Sequence, residues 1–168
     1  SAQSPNRIAF FKSSVLQDFR KGPTMLETTT LGERTALRVP RLCLGTMNFG
    51  EPGRGHQGDW TLGIDEARPI FEAAIESGLF YFDTADVYGV GACEEVVGQL
   101  LRELLPRDQY VINTKVAMPM GRGANQGGLS RKHIIEGVDS SLRRLGLEYV
   151  DQLIIHRHPH AIRGASAG

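Results

Sequence analysis

Between residues 41 and 156 the sequence alternates short apolar runs with longer amphipathic segments, in the order strand, helix, strand, helix, strand, helix, strand. This alternation restricts the fold more than any other feature. A strand that leads through a helix into another strand builds a parallel sheet, with the helices covering it. The units recur every roughly 30 to 40 residues as structure, without repeated sequence.

Residues 27–39 read as a two-stranded hairpin turning at Gly32-Glu33, and residues 41–45, Arg-Leu-Cys-Leu-Gly, as the first buried strand. A polar, glycine-rich loop over 51–63 leads to a helix capped by Asp65 and running to about Ser77. Its Ile64, Ala67, Ile70, Phe71, Ala74 and Ile75 recur at helical spacing. Pro69 lies near the first turn, where proline is best tolerated, and Gly78 terminates the helix. A strand follows at 79–83, then a helix at 93–104 with Val96, Val97, Leu100, Leu101 and Leu104 inward and Pro106 as its stop. The third strand spans 110–115, and a second glycine-rich loop spans 118–128. Ser130 caps a helix reaching Leu145, with Ile134, Ile135, Val138, Leu142 and Leu145 inward and Gly146 at its end. The fourth strand is 150–156.

The 168 residues carry 19 basic and 19 acidic side chains, so charge gives no reason to expect nucleic acid or an anionic membrane as a partner. The longest apolar runs fall well short of the ~20 residues a membrane helix needs. Cys43 and Cys93 form no C-x-x-C pair, which argues against a disulfide framework and fits a reducing cytoplasm. Residues 1–24 are set apart: Arg7, Lys12, Arg20 and Lys21 face Asp18 alone, among several serines. They read as a leader or disordered arm, with an organelle transit peptide as the alternative. Patterned sequence begins just after Met25.

Several catalytic motifs are incomplete. Gly89-Val90-Gly91 has Glu94, and Gly121-Arg122-Gly123 has Gln126, where a dinucleotide fingerprint needs its third glycine. His156, His158 and His160 alternate like metal ligands, but Pro159 interrupts any continuing strand and no cysteine or carboxylate lies close by. No metal site is expected.

Asp83, Tyr88, Lys115 and His156 form a stronger pattern, each at or just past a strand end. In a parallel α/β barrel such ends converge on the face that carries catalysis. Reducing a carbonyl needs a hydride at carbon, a proton at oxygen and stabilisation of the developing alkoxide. A free phenol, pKa about 10, is a sluggish acid, and a neighbouring ammonium favours its phenolate. Lys115 is placed to do this for Tyr88, with Asp83 holding Lys115 and His156 positioning the carbonyl oxygen or sharing the proton. Singly, each has a plain alternative: Asp83 a loop cap, Tyr88 a packed aromatic, Lys115 a snorkelling strand end, His156 a core histidine. Polar residues of these types ending three successive strands favour the joint reading.

Phe82-Asp83-Thr84-Ala85-Asp86-Val87-Tyr88-Gly89 resembles the aldo-keto reductase signature, as does Leu44-Gly45-Thr46-Met47. Asn113-Thr114-Lys115 and Ile155-His156-Arg157 match the strand ends bearing the family's lysine and histidine. Gly128-Leu129-Ser130-Arg131-Lys132-His133 and Ser141-Leu142-Arg143-Arg144-Leu145-Gly146 are similar to the branch of bacterial reductases and potassium-channel β-subunits. The resemblance covers residues 26–160.

It implies a (β/α)₈ TIM barrel with NADPH as cofactor, small aldehydes or ketones as substrates, and Asp83, Tyr88, Lys115 and His156 as catalytic residues with Tyr88 as acid. Gly45, Thr46, Met47 and Asp83 would bind the cofactor, and Tyr88, His156 and Arg157 the substrate. Arg157 stands where many relatives carry tryptophan or another pocket residue, and Trp60 is a further pocket candidate. A full barrel needs roughly 250 residues. Residues 25–160 hold about the first four strands and three helices after the hairpin, and 161–168 read as a tail outside the family pattern. Open barrel edges of this kind favour self-association. The alternative to a reductase is a truncated, non-catalytic binding or regulatory remnant.

Overall fold

The computed structural model describes residues 26–157. The readings of residues 1–24 and 161–168, and His158 and His160, lie outside them. A small antiparallel hairpin pairs β1 (Thr28–Thr30) with β2 (Arg38–Pro40), Thr28 opposite Pro40. The main sheet is wholly parallel, in the order β3 (Leu44–Gly45), β4 (Tyr81–Asp83), β5 (Val111–Val116), β6 (Gln152–Ile155). Helices α1 (Ile64–Glu76), α2 (Ala92–Leu104) and α3 (Arg131–Leu145) connect successive strands. The expected alternation is therefore present; β3, β4 and β6 are shorter than the apolar runs suggested, and β5 is shifted by one residue.

Register decides which chemistry faces which way. Leu44, Phe82 and Ile112 share one row across three strands, and Gly45, Asp83 and Asn113 the next. Successive strand residues point to opposite sides. The first row packs under the helices, where Phe82 and Ile112 are fully buried, while the second row and Lys115 look out from the other face. Phe82 stacks on Phe71 of α1 at 5.5 Å and meets Tyr110 edge-on at 6.4 Å. Burying a side chain such as Phe82 contributes about 2–3 kcal/mol.

The helix ends correct some expectations. Asp65 does not cap α1; Gly63 is the N-cap, and Glu66 reaches back to accept from the Gly63 N–H at 3.2 Å. Asp65 and Glu66 instead sit in the first turn, where acidic side chains suit the helix dipole. Ser130 does cap α3, accepting from His133 N–H at 3.1 Å. Ile70 and Ile135, assigned to inward stripes, are exposed at 39% and 46%. Both lie at the margin of their helical stripe. On the edge strand β6, Leu153 and Ile155 are also exposed.

Candidate active site

The site begins where β4 ends. Beyond Asp83 the chain makes a tight, buried passage through Thr84, Ala85 and Asp86 to Tyr88. This passage is stitched to β5: Thr84 N–H donates to Asn113 O and Asp86 N–H to Lys115 O, both at 3.2 Å. After Tyr88 the backbone turns left-handed at Gly89, Val90 and Gly91, with φ of 58°, 50° and 92°. A β-branched residue resists this conformation, so Val90 is a strained position. Gly91 is fixed by crowding as well, since a Cβ there would lie 2.3 Å from Arg144 Cδ. The turn feeds directly into α2, which anchors the segment bearing Tyr88.

Lys115 gathers the group. Its Nζ donates to Asp83 Oδ2 at 2.7 Å, Thr84 O at 2.9 Å and Tyr88 Oη at 3.2 Å. Three acceptors match the three donors of an ammonium. His156 follows β6, with its N–H bonded to Val116 O at 2.9 Å. Its ring stands edge-on to Tyr88, 5.5 Å between centroids and perpendicular. Burial first, then the charges of Lys115 and Arg157, hold the His156 imidazole below its ordinary pKa against the opposing pull of Asp83. His156 Nδ1 is buried without a hydrogen-bond partner. The four residues singled out by sequence thus stand together. Arg157 is exposed just beyond them, and Trp60 lies half exposed in the first loop beside Gly58.

The Gly45–Met47 stretch borders the same ends. Thr46 N–H and Oγ1 both donate to Asp83 O, at 3.0 and 2.8 Å. Gly45 has open space where a side chain would project, and Met47 is 49% exposed. The result is an open stretch of backbone beside Asp83. No basic side chain occurs in the stretch.

Sequence reasoning missed the supports. Cys93 Sγ donates to Thr46 O at 3.0 Å and lies 3.2 Å from Thr46 Oγ1 and 3.3 Å from Thr84 Oγ1, tying the ends of β3 and β4. Burial pushes this thiol up to about 11, so it stays protonated. Gln57 donates to Met47 O at 2.6 Å from within the long first loop. Glu94, wholly buried, accepts from Thr114 Oγ1 at 2.5 Å and from Arg144 Nε at 2.6 Å. None of these belongs to a spacing rule, because each partner lies 9 or more residues away in sequence. Among the described residues no cluster of three or more metal-binding side chains forms, and no helix is long and apolar enough to cross a membrane.

A phenol touching an ammonium, with an imidazole edge beside it, is an arrangement that can pass a proton to an oxygen presented at the open face. Residues 41–163 match the family model "Aldo/keto reductase family". Among curated proteins, a probable voltage-gated potassium channel subunit beta of Arabidopsis thaliana is 46% identical over 126 residues, covering 74% of this chain and 35% of that protein. Versiconal hemiacetal acetate reductase of Aspergillus parasiticus is 39% identical, covering 79% of this chain and 42% of that protein. L-glyceraldehyde 3-phosphate reductase of Escherichia coli (strain K12) is 38% identical, covering 74% and 35%. The chain thus spans well under half the length of these relatives. With most of its patterned sequence matched, this chain belongs to the aldo/keto reductase family, a family of oxidoreductase enzymes.

Proposed function

We propose that this chain carries the proton-transfer half of an NADPH-dependent reductase that converts small aldehydes or ketones to alcohols. The observation that carries the reading is the contact of one ammonium, Lys115 Nζ, with both Asp83 Oδ2 and Tyr88 Oη. The open stretch of Gly45, Thr46 and Met47 beside Asp83 suits the nicotinamide end of the cofactor, and the bare Gly45 backbone leaves it room. NADPH, when bound, supplies the hydride that reaches the carbonyl carbon.

The remaining chemistry belongs to side chains of this chain. Tyr88 Oη gives its proton to the carbonyl oxygen as the alkoxide develops, which yields the alcohol. Lys115 stabilises the phenolate left behind, and Asp83 holds the ammonium aimed. His156, its imidazole held below the ordinary pKa by burial and by Lys115, positions the carbonyl oxygen beside Tyr88. Arg157, exposed next to His156, contributes to substrate preference.

Fluorescence titration of the chain with NADPH tests the cofactor assignment, and turnover of a simple aldehyde tests the chemistry. Saturable binding, with turnover lost in Tyr88→Phe while binding persists, is the expected result. A folded chain that binds NADPH but turns over equally well with Phe at position 88 would remove Tyr88 from its role. No binding by a folded chain would leave these residues as family geometry without a cofactor.

A further inference from the structure

Asp86 is fully buried, and neither carboxyl oxygen has a hydrogen-bond partner. Leaving such a group bare costs several kcal/mol unless something meets it. It lies on a cavity of about 190 Å³ between the Tyr88 segment, the second glycine-rich loop and α3. A second orphan lines the same cavity: His133, 4% exposed, whose Nε2 is also unpartnered. The floor is therefore buried and polar. Asn125, Gln126 and Glu136 are exposed and form a rim open to solvent.

The charges around the cavity leave one position unbalanced. Arg144, from α3, is spent on Glu94 of α2. Lys132 pairs with Glu136 one turn along α3. Lys115, behind the site on β5, is paired with Asp83. Asp86 has no ion pair of its own among the described residues; Arg144, which also lines the cavity, and Lys115 act on it only from a distance. Burial, and then the charge of Glu94, push its carboxyl up to about 7, against the opposing pull of the nearby Val87 N–H, Arg144 and Lys115. Near neutral pH the cavity therefore takes either a proton on Asp86 or a cation beside it.

We propose that the cavity binds a small primary ammonium, with Asp86 as counter-ion and His133 Nε2 as a second acceptor. An N–H-bearing cation suits both orphans, because an ammonium has three donors and no acceptor. The volume is below the roughly 300 Å³ of ordinary ligand pockets, which limits the occupant to a head group with a short carbon tail. Half-buried Met120 and buried Gly137 offer that tail an apolar wall. Asp86 also bonds through its N–H to Lys115 O, so the occupied cavity abuts the Tyr88 segment directly.

The test is thermal unfolding of the full chain at pH 8.5 with methylammonium chloride, against equal concentrations of sodium chloride and potassium chloride. Alkylammonium groups remain charged at that pH. The expected result is a saturable rise in Tm with methylammonium beyond the sodium control. Its apparent affinity should weaken about tenfold per pH unit once Asp86 becomes protonated. Asp86→Asn, neutral and of the same shape, should abolish the rise. Amide shifts confined to Asp86, Val87, His133 and Ser140 in an NMR titration provide a reading independent of that variant. No saturable effect, an equal effect in Asp86→Asn, or an equal rise with potassium would each overturn the assignment.

Discussion

Lys115 and Asp83 form an ion pair across 2.7 Å, with side chains only 12% and 29% exposed. The same ammonium is the contact that holds Tyr88 Oη, so the pair organises the site as well as binding two strands. Removing one partner strands the other in poor solvent. Asp83→Asn should cost about 2–3 kcal/mol in urea denaturation. Lys115→Met in the Asp83→Asn background should cost much less than Lys115→Met alone. Strictly additive losses would show that the two side chains do not depend on each other.

His156 offers a test by sign. Its pKa is lowered by burial, then by Lys115 and Arg157, and raised by Asp83. Lys115→Met should therefore move the histidine's titration upward, and Asp83→Asn should move it downward, as followed by NMR of the imidazole. Because the folded value is depressed, the group's contribution to stability is present above about pH 6.5, the unfolded value, and is lost as pH falls through the folded one. Shifts in the same direction for both variants would contradict the arrangement around Tyr88.

Much of this was legible in the sequence because it rests on local rules. Helical spacing located α1, α2 and α3, and Ser130 announced its own cap. Asp83, Tyr88, Lys115 and His156 were identifiable because each lies at or just past the end of a strand with a clear apolar run, and parallel topology gathers such ends. Cys93, Gln57, Glu94 and Arg144 were not, since their value arises only in tertiary contact. Cys93 read as the first residue of a helix; only the fold brings its thiol to Thr46 and Thr84. Asp65 misled because an acidic residue near a helix start has two favourable places, the cap and the first turn.

Asp86 should make stability depend on pH in the sense opposite to His156. Its folded value, about 7, lies above the ordinary 3.8. The folded chain therefore holds this proton more tightly than the unfolded chain does. The resulting stabilisation is complete below about pH 4 and is lost as pH rises through 7. A shift of that size corresponds to about 4 kcal/mol as an upper estimate. Asp86→Asn should accordingly exceed the parent in stability at pH 8 in sodium buffer and lose that advantage at pH 4. Urea midpoints at both pH values decide it, and an advantage of the same size at each would exclude burial of the charge as the cause.

Gly98→Ala should destabilise the chain although it places the best helix former inside a helix. In a solvent-exposed helix that change gains about 1 kcal/mol. Gly98, however, is the point where α2 touches the end of α3. A Cβ there would lie 2.3 Å from Leu145 O and 2.5 Å from Leu145 Cα, both backbone atoms that cannot rotate away. The helices must separate, which also disturbs fully buried Leu100 and Leu101 on α2 and Leu145 on α3. A net loss of about 2–3 kcal/mol is expected from such overpacking. Gly137→Ala on α3 is the comparison, since its Cβ would meet Val116 Cγ1 at 3.2 Å, a side-chain methyl able to give slightly. Thermal or urea unfolding should rank Gly98→Ala well below Gly137→Ala, and the reverse order would mean that α2 and α3 do not pack through Gly98.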